Sequence, residues 1–283
     1  MGSTLSINNH RSDIIGLKYV YPVLSRRAGG LSIGINFNTN NTCNWRCIYC
    51  QVPDLKIGTA PGLDFERLAK ELRFFLDDVL NGGFYDSFRV DEDKRTIKDI
   101  AIAGNGEPTS LKEFTEAVEL IGQIASEAGV FPAADYVLIT NGSLVHQTRV
   151  QDGLTVLNEY GGQIWFKFDS ATEAGRKLIN NSGQSCRAAL ENLAISSRLC
   201  TTALQTCLLD YDHRGLPDIE KQAYLEALKT IKNSCRLRRV MLYTIARPSL
   251  QPEAGRLQAL PVETLNAFAD DIRRLGFDVS VSV

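Results

Sequence analysis

The chain has 283 residues, 44% of them hydrophobic, which is enough to bury one large core or two smaller ones. Its 31 Lys and Arg nearly balance 33 Asp and Glu, so it carries no general electrostatic pull toward nucleic acid or an anionic membrane. No apolar run approaches the ~20 residues that cross a bilayer, and the polar opening MGSTLSINNHRSD lacks the apolar stretch of a secretory signal; the expectation is a cytoplasmic protein with reduced thiols and no membrane partner.

Residues 1–30 read as a short N-terminal extension. The first strand is LSIGINFN (31–38), and the run CNWRCIYC (43–50) follows it as a loop. An amphipathic helix is predicted at 64–80, with Asp64 as its N-cap. IKDIAIAG (97–104) is the second strand, with the turn GNGEP (104–108) and a helix at 110–128 behind it. DYVLITN (135–141) is the third strand, followed by a helix at 149–160. QIWFKFDS (163–170) is the fourth, followed by helical pieces at 172–180 and 185–198. TTALQTCLL (201–209) and LRRVMLYTI (237–245) are the fifth and sixth, separated by a helix at 217–233. A last helix is expected at 261–275 and a further strand at 277–283, while 81–96 and 246–260 read as loops of the same domain. Six β/α units in series predict an α/β fold whose parallel sheet curls into a partial (β/α)6 TIM-like barrel, one domain over 31–283.

Strand residues alternate between two faces. Ile33, Ile35 and Phe37 oppose Ser32, Gly34, Asn36 and Asn38; Ile100 and Ile102 oppose Ala101 and Ala103. Ile164, Phe166 and Phe168 oppose Trp165, Lys167 and Asp169; Leu204 and Leu208 oppose Ala203, Gln205 and Cys207. The bulky face suits packing under helices. The other face is small or polar, which predicts an interior with room for a ligand, unlike the branched side chains that fill a closed eight-stranded barrel. An ordinary open α/β sheet with the same alternation is the rival architecture.

Cys43, Cys47 and Cys50 have the spacing C-x3-C-x2-C. Three thiolates in one loop can hold three irons of a 4Fe-4S cube, leaving the fourth open where a saturated cube takes four. A structural zinc site wants four protein ligands, and His10, His146 and His213 have no zinc-finger spacing to the run. A disulfide framework is opposed by the odd count of seven cysteines. Cys186, Cys200, Cys207 and Cys235 are scattered and read as buried small hydrophobes.

With CNWRCIYC directly after the first strand and GNGEP directly after the second, the chain resembles the radical S-adenosylmethionine (radical SAM) superfamily over about residues 31–245. ITNGSL (139–144), FKFDS and YTIARPS (243–249) are also similar to a subgroup that includes wyosine-type tRNA-modifying radical SAM proteins. The resemblance implies a 4Fe-4S cluster on Cys43, Cys47 and Cys50, and S-adenosylmethionine (SAM) chelating the fourth iron. It implies an electron donor such as flavodoxin or ferredoxin, and reductive cleavage of SAM to a 5′-deoxyadenosyl radical. It places Tyr49 near the adenine, and Gly104, Asn105, Gly106 and Glu107 at the methionine amino group. Asn105 stands between the glycines where the simplest form has none, so Gly106-Glu107 and Gly104-Asn105 are both registers for that contact. Asn141, Asp169 and Ser170 are implied at the methionine carboxylate or the ribose, and Tyr243 to Ala246 beside the adenine. Each also has a plain structural reading: GNGEP as a strand-to-helix turn, Asp169-Ser170 as a helix cap, and Asn141-Gly142 as a turn.

Substrate groups are expected from loops at the carboxyl ends of strands. Asp210, Asp212, His213 and Arg214 follow the fifth strand, and His213 is a candidate acid/base. Cys207 is a candidate hydrogen-atom donor, Lys167 an anion contact or a partner of Asp169, and Arg247 a phosphate or carboxylate contact. Arg26 and Arg27, and Arg236, Arg238 and Arg239, form two basic knots without aromatic interleaving. The leading expectation is a radical SAM enzyme, an oxidoreductase or transferase, acting on a small molecule or a peptide. The alternatives are the same chemistry on a tRNA base, and a non-catalytic iron–sulfur or zinc protein.

Overall fold

A computed structural model of the chain describes residues 16–25 and 29–283. His10, Arg26 and Arg27 lie outside the described residues. In chain order the elements are β1 (Val20–Ser25), β2 (Gly30–Ile35), β3 (Thr42–Cys43), β4 (Lys56–Ile57), α1 (Phe65–Leu80), α2 (Phe84–Ser87), β5 (Ile97–Ile102), α3 (Phe114–Glu127), β6 (Asp135–Thr140), α4 (Thr148–Glu159), β7 (Gln163–Lys167), α5 (Glu173–Asn180), α6 (Cys186–Leu199), β8 (Thr201–Cys207), β9 (Leu209–Tyr211), α7 (Asp218–Ile231), β10 (Leu237–Tyr243), β11 (Leu257–Ala259), α8 (Val262–Arg274) and β12 (Val279–Ser282).

Eight strands form one sheet in the order β1-β2-β5-β6-β7-β8-β10-β12. From β2 to β10 the pairings are parallel and follow chain order, as a partial (β/α)6 barrel requires. β12 extends the sheet in parallel beyond β10. β1 pairs antiparallel with β2, and Tyr19, Val20, Val23 and Leu24 of the segment expected as an extension are buried in the core. Pro22 sits in this edge strand, where a missing backbone N–H is tolerated.

The faces separate as the alternation predicts. Ile33, Ile35, Ile100, Ile102, Leu138, Ile164, Phe166 and Leu204 are buried in the main hydrophobic core, each worth roughly 1.5–3 kcal/mol over exposure. Asp64 caps α1 by accepting the N–H of Arg67, and Leu68, Leu72, Phe75, Leu76 and Val79 give that helix its buried stripe.

Two strands stop earlier than expected, for local reasons. After Ile35 the Asn36 carboxamide oxygen accepts the N–H of Asn38 at 3.0 Å and of Asn105 at 3.1 Å, an Asx turn that takes the chain out of the sheet. After Lys167 the Asp169 carboxylate accepts the N–H of Cys207 at 2.8 Å, in place of a ladder carbonyl. The expected loop at 81–96 contains the short α2, and 246–260 contains β11, which pairs antiparallel with β9.

Candidate active site

A cavity of about 540 Å³ opens on the polar face of the sheet. Its wall includes Ser32 and Gly34 of β2, Asp99 and Ala101 of β5, Ile139 of β6, Trp165 and Lys167 of β7, and Tyr243 of β10. Cys43, Cys47, Cys50 and the turn Gly104 to Glu107 complete it. Tyr21 and Val23 of β1 also line it; no sequence signal marked this strand.

The cysteine loop is fastened from two directions. The N–H groups of Arg46 and Ile48 donate to the carbonyls of Asn180 and Ile179 at the end of α5, at 3.2 and 2.8 Å. Ser249 donates its hydroxyl to the Ile48 carbonyl at 2.7 Å, and the Leu250 N–H donates to the Cys50 carbonyl at 2.9 Å. Arg46 forms a two-pronged ion pair with Glu253, both contacts 2.8 Å. Trp45 and Ile48 are buried beneath the loop, with the Arg176 guanidinium 5.5 Å from the Trp45 ring centroid.

Each sulfur has at least one N–H donor. Trp45 N–H lies 3.5 Å from Cys43 Sγ, Val52 N–H 3.5 Å from Cys50 Sγ, and Asn180 Nδ2 3.3 Å from Cys47 Sγ. Burial, then the carboxylates nearby, pushes the free thiols up, Cys43 to about 12 and Cys47 to about 11; binding iron releases those protons. Among the described residues no three His, Cys, Asp or Glu side chains converge on the volume of a single ion. Soft thiolates spread around one cavity, each with an N–H donor, fit the separate corners of a cube, whose potential such hydrogen bonds help to set.

The GNGEP turn is packed against the cysteine loop. A Cβ on Gly106 would stand 1.9 Å from the Thr42 carbonyl oxygen, and one on Gly104 2.3 Å from Asn36 Oδ1. Asn105 donates from Nδ2 to Asn41 Oδ1 at 2.7 Å. Glu107 is buried, and its Oε1 accepts the Thr109 N–H and hydroxyl and the Thr140 hydroxyl at 3.1, 2.6 and 2.6 Å. Its Oε2 accepts the Asn141 N–H at 2.7 Å. Burial raises this carboxyl above its ordinary value despite those donors.

Asn141 reaches the cavity wall and also braces the cysteine loop. Its Nδ2 donates to Asn44 Oδ1 at 2.8 Å, its Oδ1 accepts the Ser143 hydroxyl at 2.7 Å, and Asn44 Nδ2 donates to Ser143 Oγ at 2.7 Å. Gly142 follows at φ +69°, with the Phe166 ring where a Cβ would fall, so this turn admits only glycine.

Several expected site residues are placed elsewhere. Asp169 and Ser170 do not line the cavity. The Asp169 carboxylate is a buried node that accepts from the Tyr49 hydroxyl, from Asn180 Nδ2 at 2.7 Å and from the Cys207 N–H at 2.8 Å. Ser170 turns toward α7, donating to Glu220 Oε2 at 2.7 Å and accepting the Thr172 N–H at 3.1 Å. Cys207 is buried beside Ile48 and Leu209, off the cavity wall. His213 is exposed at a positive-φ turn after β9, beside Gln258, and Asp210, Asp212 and Arg214 lie off the wall with it. The ribbon of β9 and β11 holds that loop by its own pairing and by the Arg256–Asp212 ion pair.

Tyr49, Lys167, Tyr243 and Arg247 do meet at the cavity. Lys167 donates to the Tyr243 hydroxyl at 2.9 Å, lies 4.0 Å from Asp169, and stands 5.1 Å over the Tyr49 ring. Burial works to lower this ammonium, but the Asp169 carboxylate together with Tyr243, Cys47 and Cys207 outweighs it and holds Lys167 raised. The knot at Arg236 and Arg238 is exposed at the opposite, amino-terminal end of β10. Asn180 and Glu253 were not marked by any local pattern, and Asn44 and Ser143 lie inside the runs CNWRCIYC and ITNGSL without a role of their own assigned there.

Residues 37–211, more than half of the chain, match the family described as the radical SAM superfamily. A curated protein of Brachyspira hyodysenteriae named GTPase Obg is 28% identical over 155 residues, 54% of this chain and 19% of that one. The chain therefore spans about a fifth of that relative's length, and it contains no Gly-Lys-Ser or Gly-Lys-Thr phosphate loop. A radical SAM methyltransferase from Sphaerobacter thermophilus superposes with a TM-score of 0.56 at 14% identity, over 93% of this chain and 68% of that one. The structure of anSMEcpe with bound AdoMet and a Cp18Cys peptide superposes with a TM-score of 0.53 at 15% identity, over 88% and 62%. At these identities the likeness is one of fold. Together with the family match and the cysteine trio at the cavity, it places this chain in the radical SAM superfamily, whose enzymes use a 4Fe-4S cluster and S-adenosylmethionine.

Proposed function

We propose that this chain is an enzyme, an oxidoreductase or transferase, that holds a 4Fe-4S cluster on Cys43, Cys47 and Cys50 and cleaves SAM to act on a small molecule or a peptide. The observation that carries this reading is one cavity shared by the three cysteines, the Gly104 to Glu107 turn and a polar strand face. Bound there, a cluster and SAM would supply the chemistry of hydrogen abstraction from an unactivated C–H bond. The chain supplies position. Gly104 to Glu107 offer backbone groups to the methionine amino end. Tyr49, Tyr243 and the segment to Ala246 offer apolar surface to the adenine. Lys167 and Arg247 supply positive charge for the methionine carboxylate or an anionic part of the substrate. Asp169 and Asn180 act from beneath, by orienting Tyr49 and the Cys47 sulfur. The electron donor is proposed to be a flavodoxin or ferredoxin, and the compartment the cytoplasm; no described helix is long and apolar enough to cross a membrane.

The experiment is anaerobic reconstitution followed by SAM and dithionite. Release of 5′-deoxyadenosine by the wild type, lost in Cys47→Ala, is the expected result. Release that persists in Cys47→Ala contradicts the assignment. A salt-sensitive tRNA gel shift would move the substrate reading to a tRNA base.

A further inference from the structure

The floor of the cavity, opposite the cysteines, holds a carboxylate that the chemistry above does not use. Asp99 is the third residue of β5, lines the cavity, and is only 6% exposed. Its register partner on β2 is Ser32, whose hydroxyl donates to Oδ1. No described residue donates to Oδ2, and among the described residues no cation forms an ion pair with Asp99. Its register partner on the other side is a second carboxylate, Asp135 of β6. A buried carboxylate facing a like charge, with no cation among the described residues to offset it, destabilises the fold. The burden is removed if a positive group arrives with a ligand.

The surroundings fit such a group. The Tyr21 ring lies against Gly34, where a Cβ would stand 2.1 Å from it, and its hydroxyl donates to the Ala103 carbonyl at 3.2 Å. Val23, the register partner of Ser32, and Tyr21 therefore supply an apolar and aromatic wall near the carboxylate. The opposite charges, Lys167 and Arg247, stand at the other end of the cavity. At ~3.3 Å per residue, Asp99 lies about 13 Å along β5 and its continuation from Ala103, where the GNGEP turn begins.

We infer that Asp99 and Ser32 form a substrate subsite that binds a protonated amine, with the reacting carbon held several bonds away toward the cysteine loop. This deepens the functional reading proposed above and rests on it. Burial, helped by Asp135, raises the Asp99 carboxyl to about 6 despite the Ser32 hydroxyl, which agrees with a carboxylate that has no cationic partner among the described residues.

The test uses saturation-transfer NMR on the iron-reconstituted protein, with n-butylammonium as the probe and 1-pentanol as its uncharged match. We expect the ammonium to bind the wild type and to bind Asp99→Asn about tenfold more weakly, with pentanol weak in both. Asp99→Ser serves as a second substitution if the amide disturbs the fold, which thermal melting reports. Equal binding of the ammonium to wild type and variant overturns the subsite, as does pentanol binding as well as the ammonium. SAM cleavage by the same wild-type preparation separates the two claims. Cleavage without selective ammonium binding removes the subsite alone; no cluster and no cleavage removes the functional reading and the subsite with it.

Discussion

The side-chain amide of Asn180 donates to Cys47 Sγ at 3.3 Å and to the Asp169 carboxylate at 2.7 Å, while its own Oδ1 is buried without a partner. An unmatched buried carbonyl oxygen costs about 1–3 kcal/mol, so the residue is held there at a loss for what its nitrogen does. A donor to a thiolate favours the more negative, reduced state of the centre that the thiolate ligates. Asn180→Ala is therefore expected to lower the potential of the bound cluster by tens of millivolts, on the order of 1 kcal/mol. Iron content should stay at about four per chain. Redox titration followed by electron paramagnetic resonance checks this. An unchanged potential would show that the contact only packs the loop.

Gly106 tests the seat of the cysteine loop. A methyl group there meets the Thr42 carbonyl, which is backbone and adjoins Cys43. Overpacking of this kind costs about 1–3 kcal/mol. Gly106→Ala is expected to lower both the melting temperature and the iron bound per chain. Normal iron loading with normal stability would mean that the turn yields without moving Cys43.

Glu107 accepts four hydrogen bonds within the protein. Glu107→Gln turns one acceptor into a donor and leaves at least one buried N–H or hydroxyl unmatched, with a loss of about 1–3 kcal/mol by denaturant unfolding. A variant as stable as the wild type would show that the carboxyl is already protonated and donating.

Asp99 gives a pH signature. A carboxyl held above its unfolded value binds a proton more tightly in the folded state, so its contribution to stability falls as pH rises. From the ordinary value of 3.8 to about 6 in the fold, the wild type should lose on the order of 3 kcal/mol between pH 4 and pH 7 relative to Asp99→Asn. The facing titratable groups are Asp135 and Tyr21, and burial holds the Tyr21 hydroxyl above its ordinary value, outside that window. Parallel stability curves for variant and wild type would place the carboxylate in a setting that already compensates it.

What was legible in the chain was local. The Cys43–Cys47–Cys50 spacing is a property of eight residues, and the period-two alternation of strands such as LSIGIN names the cavity face without any knowledge of contacts. The contacts that brace the site are not local. Asn44 meets Asn141 and Ser143 from about a hundred residues away, and Arg46 meets Glu253 across 207. β1 was hidden because VYPVLS is short, carries a proline and pairs antiparallel at an edge. Asp169 was legible as opposite the bulky face of its strand, but its place off the cavity wall, saturated by Tyr49, Asn180 and Cys207, depends on three separate elements closing around it.

Three cysteines leave one iron of a four-iron cube open to SAM. Electron paramagnetic resonance of the dithionite-reduced, oxygen-free protein, recorded with and without SAM, tests this most directly. We expect a reduced 4Fe-4S signal whose shape changes when SAM is added. A preparation that holds zinc in place of iron, or a cluster signal indifferent to SAM, would contradict it.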